Sequence, residues 1–285
     1  MTLSPQDVSP GSGDLAEPGG ADGILIGHTT DNGVSWITLN RPQTLNAITP
    51  DQREWLISRF FRDSSDPAVR AVVITGSGKG FCSGADLRTA AGPAGAARVP
   101  GDVARTLRLG AQRLIGAVLD CEKPVIAAVN GVAAGLGAHL ALACDLVLAA
   151  ERATFIEVFV RRGLVPDGGG AYLLARLVGP QRAKELMFFG DPLTATEAHR
   201  LGVVNRVVPD GELTATARRW AERLAASPTR ALALAKQLVN SAGESDRAAA
   251  FAAEAAAQEI NMNTADAAEG IAAFLEHRPP VYRGR

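Results

Sequence analysis

Residues 123–145 read KPVIAAVNGVAAGLGAHLALACD. An apolar run, a glycine turn and an apolar helix follow one another without a polar spacer. VIAAV at 125–129 shows no polar alternation, which predicts a strand covered on both faces, as in a parallel sheet. Glycines stand at 131, 135 and 137. A glycine-rich turn that runs into a helix brings bare backbone N–H groups up to something negative. His139 falls in the first turn of that helix. A neutral imidazole there can hydrogen-bond a water or a substrate group, and can equally be a satisfied side chain in a pocket wall.

The same pattern recurs on either side. AVVITG at 71–76 is another unbroken apolar run, and it leads into SGKGFCSGADL, with glycines at 76, 78, 80 and 84. DLVLAAERATF predicts two more short strands. Upstream, ILIGHT (24–29) and VSWITL (34–39) flank TDNG and predict a β-hairpin. Thr49 is placed to cap a helix with Pro50 at its first position, and a further helix is expected over 103–119. Strand, strand, helix, repeated, points to an α/β core of stacked ββα units.

Beyond Gly163 the strand signal fades and helical segments take over. Among them TATEAHRLG carries a capping-box pattern in Thr194 and Glu197. Residues 212–275 are Ala-rich with alternating apolar and charged faces, as in helices that pack on a neighbouring subunit. The chain accordingly divides into a disordered leader (1–22), a core carrying the site (23–205) and a helical oligomerisation region (206–285). Residues 89–101, small and rich in Gly and Pro, are expected to form a mobile surface loop.

Composition narrows the function. The 285 residues are 47% hydrophobic and 21% charged, with a formal net charge of −1. No basic stripe exists to release counterions, so nucleic acid is not the expected partner. No stretch is long and apolar enough to span a bilayer, and the N-terminus lacks a signal-peptide pattern. Cys82, Cys121 and Cys144 form no CxxC pair, which argues against a metal site and for buried thiols in a reducing cytoplasm. Cys82 as a nucleophile would need a base that no local signature supplies.

Two strand-to-loop transitions carry the chemistry: CSGAD at 82–86 and AGLGA at 134–138. Two backbone N–H donors converging from such turns form an oxyanion hole, each worth about 2.7–4 kcal/mol in the transition state. A phosphate cradle is the rival reading. However, Leu140 stands where GxGxxG requires its third glycine, and no GK[ST] follows. Close packing of helix on strand is the third reading.

Taken together, NRPQTLNAI, GKGFCSGADL, the 123–145 stretch, RRGLVPDGGG, RAKELMFFGDPLTATEAHRLGVVNRVV and FLEHRPPVYRG resemble the crotonase, or enoyl-CoA hydratase/isomerase, superfamily over residues 24–285. The resemblance implies a crotonase-like α/β spiral of ββα units with a C-terminal helical trimerisation region, assembled as a trimer or a dimer of trimers. It implies an acyl-CoA thioester as substrate, with coenzyme A arriving as part of the substrate and no separate cofactor. It places the oxyanion-hole N–H donors at Ala85 and Leu136. Leu136 is glycine in many relatives, but a backbone donor works with any side chain.

The resemblance also exposes two departures. Hydratases of the family carry two glutamates that flank a water; in register these positions hold His139 and Phe159. Asp167, in GLVPDGGG, occupies the position of an aspartate in ring-1,2-epoxyphenylacetyl-CoA isomerases and haloaryl-CoA dehalogenases. One carboxylate can remove a proton and return it elsewhere if an oxyanion hole holds the enolate. Alternatively, Asp167 caps the turn before the next helix. Glu157 shares a face with Phe159 if 155–159 is extended, and only a register slip or a local bend lets it serve as a second carboxylate. Phe159 predicts an apolar wall, and Arg161 and Arg162 read as solvated charge, with a contact to a coenzyme A phosphate as the alternative.

For coenzyme A the resemblance points to backbone near Thr44, Leu45 and Ser83, and to Phe274, His277 and Arg278 supplied by a neighbour. Several functions fit these residues. An isomerase would use Asp167 assisted by His139. A hydratase-type lyase would use His139 with Asp167 or Glu157. A dehalogenase would use Asp167 as nucleophile, and a non-catalytic acyl-CoA binder would use none of them.

Overall fold

A computed structural model describes residues 25–90 and 99–285; the leader at 1–22 and residues 91–98 of the 89–101 loop lie outside the described residues. Among these residues the apolar runs form the middle of a six-stranded sheet. Its strands are β1 (Ile26–Asp31), β2 (Val34–Leu39), β3 (Ala71–Gly76), β5 (Val125–Val129), β7 (Leu146–Ala150) and β10 (Arg206–Val208), side by side in that order. A four-stranded sheet takes the intervening strands β4 (Gly80–Cys82), β6 (Val132–Ala134), β8 (Thr154–Ile156) and β9 (Leu193–Thr194). Among the described residues only the outer strands β1 and β9 pair antiparallel; the other neighbours run parallel.

The helices up to the site are α1 (Pro50–Ser65), α2 (Leu87–Ala90), α3 (Asp102–Leu109), α4 (Ala111–Leu119) and α5 (Leu136–Ala143). Beyond it lie α6 (Gly170–Phe189), α7 (Ala195–Arg200), α8 (Leu213–Ala225), α9 (Thr229–Ala242), α10 (Arg247–Met262) and α11 (Ala265–Leu275). The chain thus passes from the large sheet to the small sheet and then to a helix, three times over.

Strand parity explains the unbroken apolar runs. Val72 and Ile74 of β3, Ala127 and Val129 of β5, and Val147 and Ala149 of β7 enter the main core with Phe60 of α1 and Leu140 of α5. The alternate residues Val73, Ile126, Ala128, Leu148 and Ala150 enter a second core beneath Leu213, Ala217 and Ala221 of α8. Side chains alternate across a strand, so a strand with helices on both sides has no polar position left. Each large side chain buried this way contributes roughly 1.5–3 kcal/mol.

Several expectations need adjusting. The first hairpin strand spans 26–31 rather than 24–29, and its turn is only Asn32-Gly33, with φ of 50° and 76°. Both positive values match a type I′ turn, which follows the twist of the flanking strands. The helix expected over 103–119 breaks at Gly110, where a Cβ would lie 2.6 Å from the Thr106 carbonyl oxygen and 2.7 Å from the Arg53 guanidinium. The division at 205/206 runs through the core, because β10 pairs with β7 and α8 covers the sheet. Both expected caps form, Thr49 accepting from the Gln52 N–H and Thr194 from the Glu197 N–H.

Candidate active site

β6 pairs with both β4 and β8, so the carboxyl ends of three strands lie together at one edge of the small sheet. Ligands in α/β folds collect beyond such ends. Here residues 83–88, Gly135, Leu136, Val158, Phe159, Arg162, Leu164 and Asp167 line a cavity of about 410 Å³ with Gln43, Thr44 and Ala47.

The two glycine turns meet backbone to backbone. A Cβ on Gly137 would stand 2.1 Å from the Cys82 carbonyl oxygen, and one on Gly84 (φ 105°) would stand 2.9 Å from that of Ala134 and 3.5 Å from the Leu136 nitrogen. Close approach and a positive φ therefore both require glycine. Ile48 fixes the direction of the first donor: its N–H donates to the Gly84 carbonyl at 2.8 Å, and its carbonyl accepts from the Asp86 N–H at 2.9 Å. Backbone groups alternate sides along an extended chain, so the Ala85 N–H between them points away from Ile48. Leu136 opens α5, where an N–H has no helical acceptor. Neither N–H meets a backbone acceptor among the described residues, and both residues line the cavity.

Asp167 lines the same cavity and is half-buried. Gly169, not Asp167, is the N-cap of α6, and no side chain caps that helix; Asp167 accepts the Gly170 N–H at 3.1 Å only through its backbone carbonyl. The carboxylate has no hydrogen-bond partner among the described residues. Burial pushes its pKa above the ordinary 3.8, and the charge of a protonated His139 works in the opposite direction. Across the cavity Asp86 is its opposite. It is bound by Arg88 and Arg41, with Nη contacts of 3.1 and 3.0 Å, and is held down at about 2, chiefly by the Arg88 hydrogen bond.

His139 is wholly enclosed and does not line the cavity. Its Nε2 lies 3.1 Å from both carboxylate oxygens of Glu157. Its ring stacks on Phe159, centroids 5.4 Å apart and planes at 7°. Segment 155–159 is not extended throughout: β8 ends at Ile156, Phe159 is in the helical region, and a 3₁₀ turn follows over Val160–Arg162. That bend separates Glu157 from Phe159. Glu157 turns in to the imidazole, and Phe159 lines the cavity as an apolar wall.

Of the residues expected to meet coenzyme A, Thr44 and Ser83 line the cavity, and Leu45 lies beside them without lining it. The Ser83 hydroxyl donates to the Thr44 carbonyl at 2.9 Å, and its N–H donates to that of Leu45 at 2.9 Å. Phe274 and Arg278 are absent from the cavity lining; Phe274 flanks a separate cleft, and Arg278 is paired with Glu269 and Glu276. Arg41, Asp86 and Arg88 were not singled out from the sequence, although GADLR places Asp86 and Arg88 two residues apart beside an expected donor. Burial pushes the Cys82 thiol up to about 12, which removes it as a nucleophile. Among the described residues no group of three His, Cys, Asp or Glu is placed to hold a metal ion, and no helix is long and apolar enough to cross a membrane.

The Ala85 and Leu136 N–H groups and one unengaged carboxylate thus face the same cleft. The enoyl-CoA hydratase/isomerase family model matches residues 29–285, and the chain belongs to that family of acyl-CoA enzymes, with its crotonase fold. It is 39% identical over 263 residues to the 1,2-epoxyphenylacetyl-CoA isomerase of Escherichia coli, covering 92% of this chain and 99% of that protein. It is 38% identical over 241 residues to the crotonyl-CoA hydratase of Syntrophomonas wolfei, covering 84% and 90%. The crystal structure of an enoyl-CoA hydratase/isomerase from Cupriavidus metallidurans superposes with a TM-score of 0.85 at 38% identity, covering 91% of this chain and 96% of that one.

Proposed function

We propose that the protein is an enoyl-CoA isomerase in which Asp167 moves the proton. The observation that carries this is the carboxylate inventory of the cavity. Among its described lining residues, Asp86 is bound by two arginines and Asp167 is unengaged. With the thioester carbonyl accepting from the Ala85 and Leu136 N–H groups, Asp167 removes a proton from C2 of a 3-enoyl-CoA. The electron pair of the broken C–H bond becomes a dienolate with its charge on the thioester oxygen. Asp167, now protonated, returns the proton to C4 and leaves the 2-enoyl product. A carboxylate raised by burial is a stronger base than a solvated one, and contributions of this kind are typically about 10²–10⁴-fold. No cofactor beyond the coenzyme A of the substrate enters the scheme.

Hydration by paired glutamates has no counterpart in this cavity, since Phe159 and the enclosed His139 hold those positions. The test gives purified protein a 3-enoyl-CoA and, separately, a trans-2-enoyl-CoA. The proposal expects double-bond migration to exceed hydration, and brisk hydration without migration would overturn it. In the same proposal three copies assemble through the C-terminal helices, and Phe274 and Arg278 of a neighbour reach the coenzyme A. Its setting is the cytoplasm, where buried thiols stay reduced.

A further inference from the structure

We propose that the buried His139–Glu157 pair is a positioning device, seated on the glycine triplet 168–170, that fixes where the Asp167 carboxylate stands. The inference rests on Asp167 as the proton carrier. It starts from three consecutive glycines, an expensive choice in backbone entropy at the entrance to a helix. Gly170 is required by the imidazole, and Gly168, at φ 54°, packs beside it. A Cβ on Gly170 would lie 2.1 Å from His139 Nε2, and one on Gly168 would lie 3.7 Å from Nδ1 and 2.9 Å from Leu136 Cδ1. The ring edge therefore runs along residues 168–170, immediately after Asp167.

The ring itself is held from two sides. Glu157 accepts from Nε2 with both oxygens at 3.1 Å, and Phe159 stacks flat against one face. A carboxylate only accepts, so the Nε2 carries the hydrogen in this contact. Nδ1 is buried without a hydrogen-bond partner among the described residues and faces Gly168. A buried, unpartnered nitrogen carries a desolvation penalty, so its persistence beside the Asp167 loop calls for a role. A positive charge on this ring favours the Asp167 carboxylate, against the larger effect of burial. The other charged groups lining the cavity are Arg162 from the 3₁₀ turn and Arg88 with Asp86; Glu157 is hydrogen-bonded to His139.

His139 thus acts on the reaction through Asp167, and does so in two ways. Its shape seats the loop, and its charge tunes the carboxylate. Neither His139 nor Glu157 lines the cavity, so substrate binding should not depend on them.

The experiment follows 3-enoyl-CoA isomerisation against pH for wild type, Asp167→Asn, Glu157→Gln, His139→Ala and His139→Gln, with a melting temperature for each. Gln places an amide N–H near the position of Nε2 and carries no charge. For Glu157→Gln and His139→Ala we expect kcat to fall at least tenfold with KM within about twofold, since misplacing a reacting group by about 1 Å costs up to roughly 10²-fold. His139→Gln should restore most of kcat while the acid limb of its profile moves to higher pH, because burial then acts on Asp167 unopposed. Folded His139→Ala and Glu157→Gln with wild-type kcat and pH profile would overturn the inference. So would losses confined to KM, or an acid limb unmoved in His139→Gln. If Asp167→Asn keeps wild-type turnover, the proton-carrier reading fails instead, and the two failures are told apart by that one variant.

Discussion

Asp167 sets function against stability within one side chain. Its pKa is raised in the folded protein, so the folded state binds that proton more tightly than the unfolded chain does. Ionisation therefore costs stability as the pH rises through the carboxylate range, and nothing is lost below it. Asp167→Asn should melt higher than wild type at pH 7, and the gain should vanish near pH 3, where Asp is protonated in both states. Thermal scans at the two pH values check this; a lower melting temperature at pH 7 would show that the carboxylate is stabilising after all. The position of Asp167 was legible in GLVPDGGG, as were the Ala85 and Leu136 turns. The place of Glu157 was not, because a strand that ends one residue before it leaves no mark in a five-residue apolar pattern.

At the scale of elements, the contact between the two glycine turns decides whether the donors converge. Gly137→Ala would drive a Cβ against the Cys82 carbonyl, which is backbone and cannot rotate away. We expect a loss of roughly 1–3 kcal/mol in stability from overpacking, and a fall in kcat approaching the roughly 10²–10³-fold of a lost oxyanion donor. Gly211→Ala, which meets nothing within 4 Å, serves as the control and should change neither quantity. Removing the α7 cap with Thr194→Ala should cost about 1 kcal/mol in chemical denaturation and leave kcat alone.

Elements differ in how plainly the sequence announces them. The continuous apolar strands and both capped helices were readable because period and cap chemistry are local. The break at Gly110 was not, since the close approach of the Thr106 carbonyl and of Arg53 from another helix exists only in the folded chain. The short strands β9 and β10 were also missed, at two and three residues, because they are too brief for any periodicity.

In the whole molecule the C-terminal helices are the part least explained by a single chain. None of the residues of α10 is buried, while Phe251, Met262, Phe274 and Leu275 are exposed on α10 and α11. Met262, Phe274 and Leu275 border one cleft, and exposed apolar surface of this kind marks an interaction site. If three copies meet there, light scattering should return the mass of a trimer or its multiple, and Phe274→Asp should reduce it; a monomer in both cases would contradict that assembly. What covers this surface was not legible beyond its alternating faces, because a partner leaves no local pattern in the chain that meets it.

The central claim concerns the same molecule acting on a thioester: Asp167 carries the proton, and the cavity binds whether or not it does. The most direct measurement compares wild type with Asp167→Asn for 3-enoyl-CoA turnover and, by calorimetry, for affinity toward a non-reactive acyl-CoA. We predict that turnover falls by roughly 10²–10⁴-fold, the usual worth of a general acid–base group, while the dissociation constant changes by no more than a few-fold. Turnover that survives the substitution would contradict the account.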